Sequence, residues 1–417
     1  MLQNVSLTPS RRTLEFGIYR DGANNLDAIQ EAVVNQAVRT SAGDSRIQFT
    51  VQDTTATHPG ALRQAQGDTA EGLHTDSFTI SDGTIGHVNS TRAYDMSDES
   101  NLARFVAKTL DNAEASGAKQ TWIDLVDHGG GDGGGLQTSD GKCMSMPGIA
   151  RAIADGVAMH ARAHPEDAAR TVDGVVANQC LMDTMGFADA LSHAGVKWLA
   201  ASPETMLAPG VPSSVAHAIA EHQDDPRAMA AAVVFDVMNA SFDGGFFGAI
   251  RPAAAFDVLD LNPAKIARAE TAIKDLNDDL ASGAKYGAAV RGAVREDVRS
   301  VAGMVRFPEA TRDMPWHADR PAIAVYDALA GDARLSPTLR DEARTASAAV
   351  RSLVLAHRES SSFGPFHGAD YSDAAGPTVH LPTSRAQIDP WAANGIAETD
   401  NAFYRAVDGA ALSRALA

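Results

Sequence analysis

The first half of the chain alternates strand-like and helix-like segments, and this alternation constrains the fold more than any other feature. Apolar runs of strand length occur at 14–19, 47–51, 122–126, 172–177 and 196–200. Stretches between them carry apolar residues at helical spacing. Strands that alternate with helices predict a mostly parallel sheet covered by helices. We therefore predict an α/β core that ends near residue 212.

The helices between these strands are predicted from spacing and caps. Asn24 and Asn25 are expected to cap the first helix, and a cap near residue 97 is expected to begin the second. A further helix is predicted at 146–160, and 66–98 reads as a hairpin or irregular excursion rich in Gly, Asp, Ser and Thr. The apolar residues that define the first two helices are Leu26, Ile29, Val33, Val38, Leu102, Phe105, Val106 and Leu110.

Beyond residue 212 the composition becomes Ala-rich and helical. Helices are predicted at 216–239, 263–281, 286–304 and 336–357, followed by a short strand at 377–381 and a terminal helix that includes Phe403 and Tyr404. We therefore divide the chain into an α/β unit, 1–212, and a mainly helical region, 213–417, that packs on it.

Composition excludes several classes of function. Of the 417 residues, 35 are Lys or Arg and 53 are Asp or Glu, and the net charge of −18 would repel a nucleic acid backbone. No apolar stretch reaches the length of a membrane span. The N-terminus, MLQNVSLTPSRR, lacks a signal-peptide pattern, which predicts a cytoplasmic protein unless a leader has been removed. Nucleic acid and membrane partners are not expected, and the oligomeric state is left open.

Two strand ends carry groups that nucleophilic catalysis can use. His128 follows the third strand, and Cys180, one of only two cysteines, follows the fourth. In open α/β sheets, sites form outside the carboxyl ends of the strands. A thiolate attacks, and an imidazole accepts its proton and later hands it to the leaving amine. The histidine precedes the cysteine by 52 residues, which agrees with caspase-type spacing. The structural alternative is a packed histidine and a buried cysteine.

The glycine-rich stretch HGGGDGGG, 128–135, has two other interpretations. A phosphate-binding loop usually adds a lysine followed by Ser or Thr, but here the nearest lysine, Lys142, precedes Cys143. A metal site on Asp127, His128 and Asp132 lacks the spacing of a usual ligand set. Neither interpretation is adopted, and no metal or cofactor is assigned.

Five motifs, in order along nearly the whole chain, resemble those of clostripain-type cysteine peptidases, which share the caspase/gingipain fold. They are IYRDGANNLD (18–27), DHGGG (127–131), NQCLMDTMGFADAL (178–191), LAASPET (199–205) and GPTVHLP (376–382). The resemblance implies a caspase-like α/β fold, a peptide or protein substrate, and a cysteine endopeptidase with a Cys-His dyad. Calcium dependence is known for some relatives, but nothing in this sequence locates an ion.

The resemblance also assigns roles at the site. His128 is implied as general base and acid and Cys180 as nucleophile, with the N–H groups of Gly129 and Cys180 as the oxyanion hole. A residue without a Cβ after the histidine would let the carbonyl oxygen approach the main chain. The resemblance therefore implies that the glycines at 129–135 form the mobile wall of a peptide cleft. The N-terminus of the helix that follows Cys180 is expected to help hold the thiolate.

The residues expected to set substrate preference match those of the family less well. Family members that cut after Arg or Lys carry an aspartate two residues before the nucleophile, whereas this chain has Asn178. The lost charge-assisted bond is worth about 1.5–3 kcal/mol. Glu204 is a second candidate pocket residue, and a loop carboxylate is its alternative reading. A preference for Arg or Lys and a preference for a neutral or polar residue both remain open.

Lys142 lies between the dyad residues in a polar stretch, where relatives commonly cut themselves after a basic residue. It is therefore the candidate self-cleavage position, with a solvated loop lysine as the alternative, and Cys143 is read as a bystander. Two other functions stay open: a caspase-fold protein that binds a peptide or partner with little turnover, and a transpeptidase or ligase that uses the same thioester.

Overall fold

The computed structural model describes residues 12–56, 73–137, 141–207, 209–240, 255–281, 288–303, 318–359, 362–363, 366–367, 371–388 and 401–416. The strands are β1 (Leu14–Asp21), β2 (Ile47–Ala56), β3 (Leu73–Ser81), β4 (Thr84–Ile85), β5 (Asn89–Arg92), β6 (Gln120–Val126), β7 (Gly174–Asn178), β8 (Trp198–Ala201), β9 (Ala255–Asp260), β10 (Asp319–Pro321), β11 (Val354–Glu359), β12 (Ser362–Phe363), β13 (Phe366–His367) and β14 (Thr378–His380).

The α-helices are α1 (Asp27–Gly43), α2 (Glu99–Ser116), α3 (Met146–Ala163), α4 (Met185–His193), α5 (Val215–Glu221), α6 (Pro226–Asn239), α7 (Pro263–Ala281), α8 (Ala288–Ser300), α9 (Ala322–Gly331), α10 (Pro337–Arg351), α11 (Ala402–Ala406) and α12 (Gly409–Leu416). Short 3₁₀ turns occur at Gly131–Gly133, Pro165–Asp167 and Arg385–Gln387.

The main sheet of the described residues has ten strands in the order β11-β9-β8-β7-β6-β1-β2-β3-β4, with β5 also paired to β3. Its centre, from β2 through β1, β6 and β7 to β8, is parallel. The strands β3, β9 and β11 join it antiparallel. Two further pairs, β10 with β14 and β12 with β13, lie outside this sheet. The predicted α/β class with a mostly parallel sheet is confirmed.

Helices cover both faces of the sheet, as the continuous apolar strands require. On β6, Ile123 and Leu125 pack in the cluster that includes residues of α2, α3 and α4. Trp122 and Val126, on the opposite face of the same strand, pack in the cluster that includes residues of α1, α5 and α6. The alternation follows from the two-residue period of a strand. The central strands are therefore buried on both sides, and only their ends can carry a site.

The C-terminal half departs from the prediction in several places. The helix predicted at 216–239 is broken into α5 and α6, because Asp225 caps a new helix that starts with Pro226. The helix predicted at 336–357 ends at Arg351, and the next segment forms β11. The strand β9 and the helix α9 were not predicted. β9 and β11 continue the main sheet past residue 212, so the predicted core boundary does not coincide with the end of the sheet.

The division into units 1–212 and 213–417 itself stays a prediction. The strand predicted at 377–381 is confirmed as β14, although it pairs with β10 outside the main sheet. The N-terminal residues 1–11, on which the signal-peptide argument rests, lie outside the described residues. Among the helices that are described, none is long and apolar enough to cross a membrane.

Candidate active site

The two predicted catalytic residues follow neighbouring parallel strands at the same level. β6 ends at Val126 and β7 ends at Asn178, and these two residues are paired in register. His128 and Cys180 each come two positions later, where neighbouring strands are about 4.8 Å apart. The side-chain amide of Gln179 donates to the carbonyl of His128 at 3.1 Å, which ties the two strand ends together. The fold therefore brings the predicted dyad to one edge of the sheet.

Gly129 lies directly against the backbone of Cys180. A Cβ at position 129 would come within 2.3 Å of the carbonyl oxygen of Cys180 and 3.0 Å of its nitrogen. Only a residue without a Cβ fits there. Among the described residues, the N–H groups of Gly129 and Cys180 donate to no backbone carbonyl in the loops and turns. The two predicted oxyanion-hole donors are thus adjacent at the strand ends.

The imidazole of His128 is held by Asn25, which the sequence pattern predicts to be a helix cap. Its Nε2 donates to Oδ1 of Asn25 at 2.8 Å. With Nε2 carrying the hydrogen, Nδ1 keeps the lone pair of the neutral ring and is the basic nitrogen. Burial lowers the pKa of His128 below its usual value of 6.5. The ring is therefore neutral and fixed in one tautomer near pH 7.

Asn24 and Asn25 do not cap the first helix, contrary to the prediction. α1 begins at Asp27, and its N-cap residue is Leu26, which makes no side-chain cap bond. Asn24 instead donates to the buried carboxylate of Asp127 at 2.6 Å and to the carbonyl of Gln137 at 2.8 Å. Both asparagines follow β1, whose carboxyl end lies beside that of β6. The strand-end rule, applied to β1 as well, would have pointed to them.

Cys180 is half-buried, and its sulfur rests against the loop that follows β8. The N–H of Met206 donates to Sγ at 3.2 Å, and Sγ lies 3.5 Å from the carbonyl of Met206. Burial raises the pKa of the thiol to about 11, and the charges of Glu204 and Asp127 add to the rise, although the Met206 N–H opposes it. Met206 was not predicted as a site residue.

The expected stabilisation of a thiolate by the following helix is wrong for this structure. α4 does not begin until Met185, capped by Thr184, so its positive end is several residues from the sulfur. The chain turns sharply in between, and Leu181 takes a left-handed conformation with φ of 66°. Such backbone strain in a residue with a side chain is concentrated at functional sites. In this structure Cys180 is therefore a thiol and His128 a neutral imidazole near pH 7.

The glycine-rich loop is a hydrogen-bonded turn that returns to the site. Gly130 N–H donates to Gly134 at 2.8 Å, Leu136 N–H donates to His128 at 3.3 Å, and Gly135 exchanges hydrogen bonds with Met144. These bonds tie the loop at both ends, so the predicted mobility has no support in the described contacts.

Asp132, inside the glycine-rich loop, lies apart from Asp127 and close to the C-terminal half. Its Oδ2 is 4.0 Å from Nδ1 of His380, and that nitrogen is 2.7 Å from Asp319. Nε2 of His380 is 3.0 Å from the carbonyl of Gln387. Both nitrogens of the His380 ring therefore face acceptor atoms of the chain, and the potential ligand atoms of Asp132, Asp319 and His380 lie within 4.8 Å of one another. This pairing anchors the glycine-rich loop to β10 and β14.

Asn178, the first predicted specificity residue, is buried and clamps the loop after β8. Its Nδ2 donates to the carbonyl of Val211 at 3.1 Å, and its Oδ1 accepts from the Val211 N–H at 2.7 Å. Gly210 is adjacent with φ of 89°, and a Cβ there would come within 1.9 Å of Oδ1. Both polar atoms of the amide are thus bonded to the backbone of one residue, Val211, and they hold the loop that follows β8.

Glu204, the second predicted specificity residue, is also buried. Its carboxylate accepts from the N–H and the hydroxyl of Thr205, at 2.7 and 3.1 Å. Its carbonyl accepts from the N–H of Leu181 at 3.1 Å. The residue therefore holds the turn at Leu181, and its charge contributes to the raised pKa of the Cys180 thiol.

Lys142 and Cys143 lie in the segment between the glycine-rich loop and α3. Lys142 is exposed, with 65% of its side chain accessible, and its Nζ is 3.8 Å from Asp95. Cys143 is partly buried, and burial raises the pKa of its thiol to about 11. The lysine is accessible to a protease, as self-cleavage requires.

Comparison with solved structures identifies the fold. No family model matches this sequence, and no curated protein matches it either. A secreted C11 cysteine protease from Bacteroides thetaiotaomicron, in complex with an irreversible peptide inhibitor, matches with a TM-score of 0.63 at 12% identity, covering 95% of this chain and 99% of that chain.

A second structure from the same organism, called iotapain, matches with a TM-score of 0.57 at 14% identity, covering 95% and 99% of the two chains. An inactive zymogen C11 protease from Parabacteroides distasonis gives a TM-score of 0.58 at 12% identity, covering 96% and 99%. The chain therefore has the fold of the C11, or clostripain-type, cysteine proteases, and the predicted caspase-like class is confirmed.

Proposed function

We propose that this chain is a cysteine endopeptidase in which His128 and Cys180 form the catalytic dyad. The observation that carries the proposal is the close approach of the backbones of Gly129 and Cys180, at the carboxyl ends of paired parallel strands. The shared fold supports it, and so does the peptide inhibitor bound to one structure with this fold.

The chemistry follows from the protonation of the resting dyad. A peptide carbonyl carbon approaches Sγ of Cys180, and the neutral imidazole of His128 accepts the thiol proton as the sulfur attacks. The N–H groups of Gly129 and Cys180 donate to the oxygen that becomes negative. The imidazolium then protonates the leaving amine, and the carbon–nitrogen bond breaks to leave a thioester.

Deacylation reverses these roles. His128 accepts a proton from water as the water oxygen attacks the thioester, and the proton returns to sulfur as the acid product leaves. Every group in these steps belongs to the chain, the substrate or water, so we propose a reaction without a cofactor. An assay with and without a calcium-selective chelator tests this, and a chelator-sensitive rate would contradict it.

A covalent probe tests the dyad. A peptide with a thiol-reactive group should label the wild-type chain and Cys143→Ala, but not Cys180→Ala, and His128→Ala should label much more slowly. Hydrolysis of a fluorogenic peptide should follow the same order. Labelling that survives in Cys180→Ala would overturn the proposal. Labelling of Cys180 without any hydrolysis would instead favour the peptide-binding alternative, and product masses separate hydrolysis from ligation.

We propose that substrate preference is set by the loop from Ser202 to Val211 and not by a direct contact of Asn178. Both polar atoms of the Asn178 amide are bonded to Val211, and the Glu204 carboxylate is bonded to Thr205. A peptide library varied at the residue before the scissile bond determines whether Arg, Lys or a neutral residue is preferred. Met206→Ala should change the preference more than the exposed control Asn89→Ala.

We further propose that the chain cuts itself after Lys142. The side chain is exposed, and Met144 is anchored to Gly135 on the far side of the cut. Mass spectrometry of the purified chain should show two fragments for wild type and one intact chain for Cys180→Ala and Lys142→Ala. An intact wild-type chain with full activity would contradict the proposal. The cytoplasmic location stays a prediction, and fractionation of the cells that produce the chain tests it.

A further inference from the structure

Two histidines and four carboxylates meet at the carboxyl ends of α2 and α3. α2 and α3 run in the same direction, since Glu99 at the start of α2 bonds Arg151 in α3, and Asp111 near its end bonds His160. The remaining members are Glu114, His164, Glu166 and Asp167. We call these six residues the His160 cluster. It lies about 20 Å from Met146, the start of α3 beside the glycine-rich loop, given the rise of 1.5 Å per helical residue.

The spacing places the ligand atoms on facing sides of the two helices. His160 lies on α3, and His164, one turn later, is the residue that directly follows this helix. Asp111 and Glu114 are one turn apart on α2. In three overlapping sets of three, all the potential ligand atoms lie within 4.8 Å of one another. The imidazole rings of His160 and His164 are stacked, with centroids 4.8 Å apart.

Nε2 of His160 faces a carboxylate but makes no hydrogen bond within the described residues. His160 is fully buried, and its Nδ1 is 2.8 Å from Asp111. Its Nε2 makes no hydrogen bond within the described residues, although it is 3.4 Å from Oδ2 of Asp167. A buried polar atom without a partner is costly. A carboxylate on Nδ1 is the arrangement that orients a histidine whose Nε2 binds a metal.

The electrostatics favour a cation at this place. Four carboxylates surround the two imidazoles, and Arg170, bonded to Asp167, is the positive side chain that offsets them in part. Two helices also end here, and each carries a negative partial charge at its carboxyl end. Imidazole nitrogens with carboxylates form a donor set for zinc-class ions, whereas calcium and magnesium prefer oxygen ligands alone.

We propose that the His160 cluster binds one divalent transition metal ion of the zinc class, with His160 Nε2, Glu114 and Asp167 as ligands. The potential ligand atoms of these three residues lie within 4.8 Å of one another. Asp111 fixes the ring of His160 through Nδ1. The ion would join the ends of α2 and α3 far from the dyad, so the site is a structural one. It is independent of the proposed peptidase activity.

Titration of the full chain with Co²⁺ and Zn²⁺ tests the proposal. The background carries Cys143→Ala and Cys180→Ala, so that no thiol can supply the binding, and bound metal is first removed with a chelator. One ion per chain should bind, and the Co²⁺ absorption should show nitrogen and oxygen ligands. Binding should weaken as pH falls, because protons compete for the imidazoles.

Variants of the partly exposed ligands locate the ion. Asp167→Asn and Glu114→Gln should each weaken binding at least tenfold and abolish the rise in melting temperature that Zn²⁺ produces in the parent. The matched control is His193→Ala, an exposed histidine that pairs with Asp189 near the end of α4. Circular dichroism confirms that each variant is folded. Absence of stoichiometric binding, or binding unchanged in Glu114→Gln, would overturn the proposal.

Discussion

Nε2 of His128 donates to Oδ1 of Asn25 across 103 residues of sequence, at 2.8 Å. The bond joins the carboxyl end of β6 to the segment that follows β1, and it fixes which nitrogen of the imidazole carries hydrogen. Asn25 is exposed, so it can be changed without a cavity in the core. The asparagine is therefore a positioning residue for the proposed general base.

Asn25→Ala should lower kcat/KM by about ten- to a hundredfold, because a ring that rotates loses its alignment with the thiol. Asn25→Asp should keep the alignment but place a carboxylate beside the ring, which raises the pKa of His128. The acid limb of the kcat/KM profile should then move to higher pH. Asn89→Ala, an exposed asparagine on β5, is the control. An unchanged pH profile in Asn25→Asp would contradict this role.

The resting state of the thiol gives a second prediction. Because burial raises the pKa of Cys180 to about 11, only a small fraction is thiolate at pH 7. In the Cys143→Ala background, the rate of alkylation by iodoacetamide should rise about tenfold for each pH unit between 7 and 9, as the thiolate fraction does. A rate that is already constant above pH 6 would show a thiolate–imidazolium pair instead.

Gly129 supplies a third test. A Cβ at this position would meet the carbonyl of Cys180 at 2.3 Å, so Gly129→Ala must push the two strand ends apart. We expect kcat to fall about a hundredfold or more, because the oxyanion donors lose their position. Gly292→Ala is the matched control, since a Cβ there meets nothing within 4 Å. Equal activity of both variants would show that the Gly129 N–H is not part of the oxyanion hole.

The central sheet, and the placement of His128 and Cys180 at one of its edges, could be predicted because they depend on local pattern. Apolar runs marked β1, β2, β6, β7 and β8, and the two residues follow the ends of the neighbouring strands β6 and β7. Asn25 could not be assigned in the same way, because an asparagine before a helix is usually a cap, and only the pairing of β1 with β6 brings it to His128.

The contacts of Asn178 and the strand β11 could not be predicted, for a different reason. The sequence gives no indication that Val211, 33 residues later, returns to bond both polar atoms of Asn178. β11 follows a strongly amphipathic helix without a glycine or proline between them, so the predicted helix extended into it. In both cases a long-range contact decides the role, and local propensity carries no information about it.

Asn178→Asp is expected to destabilise the chain and not to create a preference for basic residues. The introduced carboxylate would lose the donor to the Val211 carbonyl and be buried close to Asp124, whose own pKa is raised well above its usual value by burial. The free energy of unfolding should fall by about 1–3 kcal/mol. The loss should be larger at pH 8 than at pH 5, because burial raises the pKa of the new carboxyl and deprotonation opposes folding.

Urea unfolding of the wild type, Asn178→Asp and the exposed control Asn89→Asp measures this effect. The control should change stability by less than about 0.5 kcal/mol. If Asn178→Asp were as stable as the wild type and gained cleavage after Arg, the amide would face the substrate, contrary to its bonds in the structure.

Glu15, fully buried on β1, gives the last prediction. Its carboxyl is bonded to the hydroxyl of Thr50 at 2.6 Å, and burial raises its pKa from 4.5 to about 8. The folded chain therefore keeps a proton that the unfolded chain releases above pH 4.5, so the stabilisation is complete below pH 4.5 and is lost as pH rises through 8. Glu15→Gln is neutral at every pH and does not titrate. Between pH 5 and pH 9 the wild type should therefore lose about a few kcal/mol of unfolding free energy relative to this variant, the size expected for such a pKa change. Urea unfolding at both pH values measures the shift, with the exposed Glu31→Gln as control. Parallel pH profiles for the wild type and Glu15→Gln would mean that the buried carboxyl is ionised in the folded chain.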